Sequence, residues 1–180
     1  MANTTLTTDL VALHDAIVRD IQAKFPFFQT VEFYRTDRKT MPTPACILEL
    51  DELPTDESDD PGNGQISLEA RFVAHLVLGF KTDEVRLKIR KLAASVAAFL
   101  KNRHFAGVTH GACKVDGAYE DDFMPELDQF ECWRVEWSCC VYIGDDVWDE
   151  SGFTAPTQVF TSFDPDIGVA NKDKYTNVTG

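Results

Sequence analysis

The stretch ISLEARFVAHLVLGF (66–80) decides the fold, because apolar residues occupy every second position along its length. Alternation with a period of two is the pattern of a strand that buries one face. The opposite face is polar at first and then mostly apolar: Ser67, Glu69, Arg71, Val73, His75 and Val77. The sequence therefore predicts a strand that begins with one solvent-exposed face and ends buried on both faces.

Amphipathic helices are predicted on both sides of this strand. Residues 9–25 place apolar side chains at spacings of three and four, with Thr7, Thr8 or Asp9 as N-cap and Pro26 as the stop. Residues 82–102 show the same periodicity after a cap at Thr82 or Asp83, and are rich in alanine.

Four further strands are predicted from alternating or β-branched stretches. They are residues 30–36, 45–50, 110–119 and 130–143. The element order is then α-β-β-β-α-β-β, which predicts an α+β domain over residues 1–150. We expect a mostly antiparallel five-stranded sheet with two helices packed on one face.

Residues 151–180 lack strong periodicity and are predicted to form an extended C-terminal arm. The segment nevertheless carries four aromatic residues: Phe153, Phe160, Phe163 and Tyr175. Disordered segments are usually poor in aromatic residues. Two interpretations remain open, a segment packed on its own domain and an arm that reaches a neighbouring molecule.

The net charge of -13 argues against a general nucleic-acid binder or an electrostatic membrane binder. The sequence predicts no signal peptide and no apolar run long enough to cross a membrane. Residues 49–60 hold seven acids and no base, whereas residues 81–103 hold seven bases and two acids. Such asymmetry favours stacking with further copies or with a complementary partner, although both stretches can simply be solvated.

Catalytic and metal-binding motifs are weak in this sequence. The five cysteines, Cys46, Cys113, Cys132, Cys139 and Cys140, are an odd number and are predicted to be buried thiols. A zinc site from His104, His110 and Cys113 is conceivable, but no CxxC pair, HExxH or His-x-His cluster accompanies it. As a nucleophile and its base, Cys113 and His110 would face opposite sides of a strand. The acidic pairs Asp121–Asp122 and Asp145–Asp146 are predicted to be solvated loop residues. We therefore predict no catalytic residue, no metal and no cofactor.

Several segments resemble the tail terminator proteins of long-tailed bacteriophages. The resemblance rests on element order and on five stretches: LHDAIVRDIQAKFP (13–26), PTPACILEL (42–50) before an acidic loop, residues 66–80 followed by DEVRLKIRKLAASVAAFL (83–100), and WRVEWSCCVYIG (133–144). The ending SFDPDIGVANKDKYTNV (162–178) is similar to the C-terminal tails of related phage tail and neck proteins.

The resemblance implies a structural virion protein and no enzyme. Family members form rings of about six subunits that cap the tail tube, stop its polymerisation and present a surface for head-tail joining. The implied partners are further copies of the chain, the tail tube protein and head-tail connector proteins, with the tail sheath as a further candidate. DNA would pass through the central channel without specific binding, and assembly would take place in the host cytoplasm. The alternatives are a head-tail connector or neck protein and, from another class, a small ligand-binding domain or enzyme.

Three sets of residues are candidate functional sites on this interpretation. The first is an acidic loop predicted to face the channel and repel DNA: Asp56, Glu57, Asp59 and Asp60. The second is a basic helix face predicted to meet an acidic surface of a neighbouring subunit: Arg86, Arg90 and Lys91. The third is a partner-binding set on the C-terminal arm: Phe160, Phe163 and Tyr175.

Overall fold

A computed structural model of the protein describes residues 7–36, 41–55, 60–121, 130–147 and 158–178. Within these ranges, residues 7–147 belong to one compact unit and residues 158–178 to a second. The first unit is an α+β domain, as predicted.

Helix α1 spans Leu10–Lys24 and begins directly after its N-cap residue, Asp9. The Asp9 carboxylate accepts hydrogen bonds from the backbone N–H groups of Val11 and Ala12, at 2.9 and 3.1 Å. The buried face of the helix consists of apolar residues at helical spacing: Leu13, Ala16, Ile17 and Ile21. The predicted helix and its Asp9 cap are therefore confirmed.

The sheet of this unit has five strands in the spatial order β1-β2-β3-β5-β4. Their bounds are Thr30–Phe33 for β1, Ala45–Glu52 for β2, Ile66–Gly79 for β3, Lys114–Glu120 for β4 and Phe130–Ile143 for β5. Three of the pairings are antiparallel, but β1 and β2 run parallel, with Thr30 opposite Ala45. The sheet is therefore mixed, because the chain between β1 and β2 returns to the end where β1 began.

Helix α2 spans Val85–Leu100 and packs with α1 on one face of the sheet. The two helices and the strands share a single apolar core, with the Phe72 and Trp137 rings stacked 5.4 Å apart at its centre. The predicted caps Thr82 and Asp83 were wrong. The N-cap is Glu84, whose φ of 52° is left-handed and whose side chain makes no capping hydrogen bond.

The second face of the sheet is polar near the start of β3 and apolar near its end. A smaller buried cluster of Met41, Ala45, Ile47, Val77 and Cys132 lies there. Every residue from Ala74 to Leu78 is buried, whereas Arg71 on the face predicted to be polar is exposed. Two residues depart from the predicted pattern, because Ile66 of the apolar face is exposed and Ser67 of the polar face is buried. The predicted change of β3 from one buried face to two is confirmed.

The second unit forms regular structure that the prediction of an extended arm did not include. Strand β6, Phe160–Thr161, pairs antiparallel with β7, Thr176–Asn177, and a 3-10 helix spans Val169–Lys174. Its contacts are mostly polar: Gly168 N–H donates to the Tyr175 hydroxyl at 2.9 Å, and Lys174 forms an ion pair with Asp166. No residue between 158 and 178 is buried.

An ion pair fastens the segment after α2 to helix α1. Arg103 donates to Asp20 at 2.7 Å, and its guanidinium lies 4.0 Å from the centre of the Phe99 ring. Burial raises the pKa of Asp20, but hydrogen bonds from Arg103 and Arg19 outweigh it and hold that pKa below its usual value. A carboxyl with a depressed pKa stabilises the fold above its unfolded pKa, and this contribution is lost as pH falls through the folded pKa.

We expect Asp20→Asn to lower the free energy of unfolding by about 1–3 kcal/mol at pH 7, because it removes a charge-assisted hydrogen bond. The difference from the unsubstituted protein should shrink as pH falls through the folded-state pKa of Asp20, which lies below the usual aspartate value, and vanish below it. Urea unfolding followed by tryptophan fluorescence measures both effects. The control is Asp15→Asn, which removes an exposed carboxylate from the same helix. Equal effects of the two substitutions would contradict the role given to the Asp20–Arg103 pair.

Candidate functional site

The predicted basic interface on α2 is partly neutralised within the chain itself. Arg86 lies 3.9 Å and Arg90 3.7 Å from carboxylate oxygens of Glu131, whose side chain is only 11% exposed. The Arg90 guanidinium also lies 5.0 Å from the centre of the Trp133 ring and 4.0 Å from Glu120. Arg90 thus connects α2 to β5 and to the end of β4, whereas the Arg86 side chain is 79% exposed. Lys91 is exposed on the same helix and remains a candidate contact for a second molecule.

The predicted acidic channel loop is described only at its last residue. Asp56, Glu57 and Asp59 lie outside the described residues. Asp60 is exposed, and its carboxylate accepts a hydrogen bond from the Gly62 N–H at 2.8 Å. Asp60 therefore shapes the turn before β3, and the channel-facing role of the loop stays a prediction.

The three predicted arm residues differ in their surroundings. Phe163 is 82% exposed and Phe160 is half exposed, whereas Tyr175 is partly buried and uses its hydroxyl for the Gly168 contact. Phe160 and Tyr175 line a shallow groove together with Gly168, Val169 and Lys172. The second unit therefore exposes apolar side chains, whereas the contacts within it are mostly polar. Exposed apolar clusters of this kind are typical of contact sites.

Charged residues of both signs cover the polar part of the second sheet face. Arg71 bridges Glu69 and Glu52, each at 2.9 Å. Hydrogen bonds from Arg71 and Ser138 hold the pKa of Glu69 below its usual value. Near β4, Arg134 donates to Glu136 at 2.5 Å. Two of these ion pairs join residues two apart on the same strand, whereas the Arg71–Glu52 pair joins β3 to β2. The sequence spacing could not predict the pair between strands.

Asp121 was predicted to be a solvated loop acid, and this was wrong. Its side chain is 5% exposed, and Oδ2 lies 2.6 Å from Nδ1 of His75. Arg134 lies 3.6 Å from the other carboxylate oxygen, and Glu49 lies 3.9 Å from His75 Nε2. The pair joins β3 to the end of β4. The signal that could have found it is the single histidine within the apolar half of β3, which needs a polar partner.

A second correction concerns His110 and Cys113, which were expected to face opposite sides of a strand. Strand β4 begins only at Lys114, so alternation does not apply to His110. The structure places His110, Cys113 and Cys139 together and buried, with their ligand-type atoms within 4.8 Å of one another. His104 is exposed and lies outside this group, although its ring is 5.5 Å from that of His110.

Both ring nitrogens of His110 already have partners. Nε2 accepts the Phe105 N–H at 2.8 Å, so Nδ1 carries the proton and donates to the Gly111 carbonyl at 2.6 Å. Burial lowers the pKa of His110, which agrees with a neutral ring. The histidine fixes the loop before β4 and offers no lone pair to a metal ion in this arrangement.

The cysteines behave as predicted, since none forms a disulfide and four of the five are buried. Cys139 faces the helices and Cys140 the opposite side, where its sulfur lies 3.0 Å from the Ser67 hydroxyl. Burial raises the pKa values of Cys46 and Cys132 to about 12. These thiols are therefore unreactive at neutral pH.

No model of a known protein family matches the chain, and no curated protein matches it either. Among the residues that the structure describes, no helix is both long and apolar enough to span a membrane.

Charge reversal on α2 should distinguish Arg90, which forms an ion pair within the chain, from Lys91, which is a candidate contact for a second molecule. Arg90→Glu places a negative charge beside Glu131 and should lower the free energy of unfolding by about 1 kcal/mol, more at low salt. Lys91→Glu should change it by less than about 0.5 kcal/mol. Urea unfolding at two salt concentrations measures these effects.

The double variant Arg90→Glu, Glu131→Arg restores opposite charges and is the matched control, which should recover part of the lost stability. Equal destabilisation by Arg90→Glu and Lys91→Glu would contradict the assignment of Arg90 to the intramolecular pair.

Proposed function

We propose that this protein is a tail terminator of a long-tailed bacteriophage, a structural subunit that forms a ring on the end of the tail tube. The observation that supports the proposal is that the helices cover only one face of the sheet. Both helices pack on one face, whereas part of the other face carries charged residues and the edge strands β1 and β4 flank the sheet. Strand edges and charged faces of this kind are surfaces through which copies of a chain associate.

A ring needs two different surfaces on each subunit, and the charge distribution supplies a complementary pair. Residues 81–103 are rich in bases, and residues 49–60 and 116–131 each hold seven acids. Since Arg90 contacts Glu131 of the same chain, the basic surface offered to a neighbour consists of exposed residues other than Arg90: Lys81, Arg86, Lys88, Lys91 and Lys101. Contacts of unlike charge favour head-to-tail association and fix its register.

The proposed ring contains about six subunits, stops polymerisation of the tail tube and presents its outer end for head-tail joining. Its partners are the tail tube protein and the head-tail connector proteins, and it is a component of the virion that assembles in the host cytoplasm. The net charge of -13 suits a channel through which DNA passes without binding. The protein acts here as a structural component and not as an enzyme.

Ring formation and tube capping are tested together on the purified chain. Light scattering after gel filtration should give a discrete mass near that of about six subunits, alone or on short tubes of tail tube protein. Electron microscopy should show tubes that stop growing once the protein is added. Lys91→Glu should weaken the assembly, and raising the salt concentration should weaken it as well.

The control for this test is Asp173→Ser, which changes an exposed charge on the second unit. A monomer that neither binds nor caps tubes contradicts the proposal. Binding to portal-adaptor assemblies instead of tubes would make the protein a head-tail connector.

The second unit is proposed to contact an adjacent subunit or the tail tube through Phe160 and Phe163. Phe163→Ser should leave urea unfolding unchanged, because the side chain is 82% exposed. The same substitution should weaken association or tube binding about tenfold or more, since exposed aromatic residues often dominate interfaces. Asp173→Ser is again the control and should have little effect. Unchanged association of the Phe163→Ser protein would exclude this residue from the interface.

A further inference from the structure

Cys113 and Cys139 lie directly opposite each other at the start of β4. Lys114, the first residue of β4, pairs with Ser138 in the antiparallel ladder. Cys113, immediately before β4, therefore lies beside Cys139 of β5. Both side chains point to the helix-covered core and are 0% and 2% exposed. The sequence alone did not predict that these two cysteines lie close together, since 25 residues lie between them.

The backbone of Cys113 makes this position suitable for a disulfide. Its N–H donates to the Arg103 carbonyl at 3.0 Å, and its C=O accepts from the Asn102 N–H at 2.9 Å. Cys113 therefore exchanges no ladder hydrogen bonds with Cys139. The Sγ atoms of Cys113 and Cys139 lie within 4.8 Å of each other. A disulfide spans Cα atoms about 4.4–6.8 Å apart, which is the spacing of neighbouring residues on paired antiparallel strands.

The two thiols are also unequal in acidity. A hydrogen bond with Cys139 holds the pKa of Cys113 below its usual value against the effect of burial, and the charge of Arg103 acts in the same direction. The same hydrogen bond and burial raise the pKa of Cys139. Cys113 is therefore the more acidic of the two thiols.

We propose that Cys113 and Cys139 form a reversible dithiol–disulfide pair that a small peroxide oxidises. The Cys113 thiolate attacks one oxygen of hydrogen peroxide and the O–O bond breaks, giving a sulfenic acid on Cys113. The hydroxide that leaves takes up the proton that the Cys113 thiol released and becomes water. The Cys139 sulfur then attacks the Cys113 sulfur, the S–S bond forms and a second water leaves. Two thiols are oxidised and one peroxide is reduced to two waters.

The competing use of this cluster is a thiophilic metal ion with His110 as third ligand. The structure favours the disulfide, because His110 Nε2 already accepts the Phe105 N–H and would have to release it. The disulfide requires no such rearrangement. It would tie the start of β4 covalently to β5 and thereby secure the segment between α2 and β4. This inference does not depend on the proposed ring.

The test treats the folded full-length protein with hydrogen peroxide, blocks remaining thiols by alkylation and maps the peptides by mass spectrometry. Trypsin releases Cys113 as the only cysteine in the peptide 104–114, whereas the peptide that begins at Val135 holds both Cys139 and Cys140. The Cys140→Ala variant therefore assigns the bond. We expect a cross-linked pair of peptides in the native protein and in Cys140→Ala, reversed by dithiothreitol.

Cys113→Ala and Cys139→Ala should each abolish the cross-link. Oxidation should raise the urea midpoint of the native protein and of Cys140→Ala but not of Cys113→Ala. If Cys113→Ala or Cys139→Ala fails to fold, peptide mapping of the native protein together with Cys140→Ala still decides the question.

No cross-link between residues 113 and 139, or a bond to Cys140 instead, would overturn the proposal. A parallel incubation uses Zn²⁺ alone. One tightly held zinc that His110→Ala abolishes and that blocks oxidation would assign the cluster to metal binding and would likewise overturn the disulfide.

Discussion

The antiparallel pairing of β3 with β5 is the constraint on which the rest of the structure depends. The two strands stay in register from Ile66 opposite Ile143 to Gly79 opposite Phe130. Their shared face carries the Phe72–Trp137 stack and receives both helices. Their other face carries the His75–Asp121 contact and the ion pairs. A shift of one residue would exchange the two faces, so the apolar alternation and the polar network specify the same register.

Sequence periodicity predicted the elements whose structure is set by their own residues. Asp9 caps α1 because its side chain reaches the first turn, and β3 and β5 alternate because one face meets the helices. The predictions failed where the structure of a segment depends on contacts with other parts of the chain. β4 begins at Lys114 because the backbone of Cys113 bonds to residues 102 and 103. The parallel β1–β2 pair depends on the path of the connection, which local patterns do not encode.

The candidate site was predictable in its charges but not in its contacts. The basic character of α2 is visible in the sequence, yet the neutralisation of Arg90 by Glu131 requires the docking of α2 against β5. Asp121 and His75 are 46 residues apart, and the sheet order brings them together. The apolar residues of the C-terminal segment were identified, whereas the strand pair and 3-10 helix that carry them were not.

The position of β3 between strands from both halves of the domain also bears on how the chain folds. Residues 74–78 are apolar on one face and mostly so on the other, and their pairing with β5 completes the sheet around them. Because contacts of large sequence separation close slowly, the locally encoded helix α2 should form before β5 arrives. On a ribosome, the chain must extend past residue 143 before this strand can be completed. The step most exposed to aggregation is therefore a late one in synthesis, and protection by chaperones would matter most there.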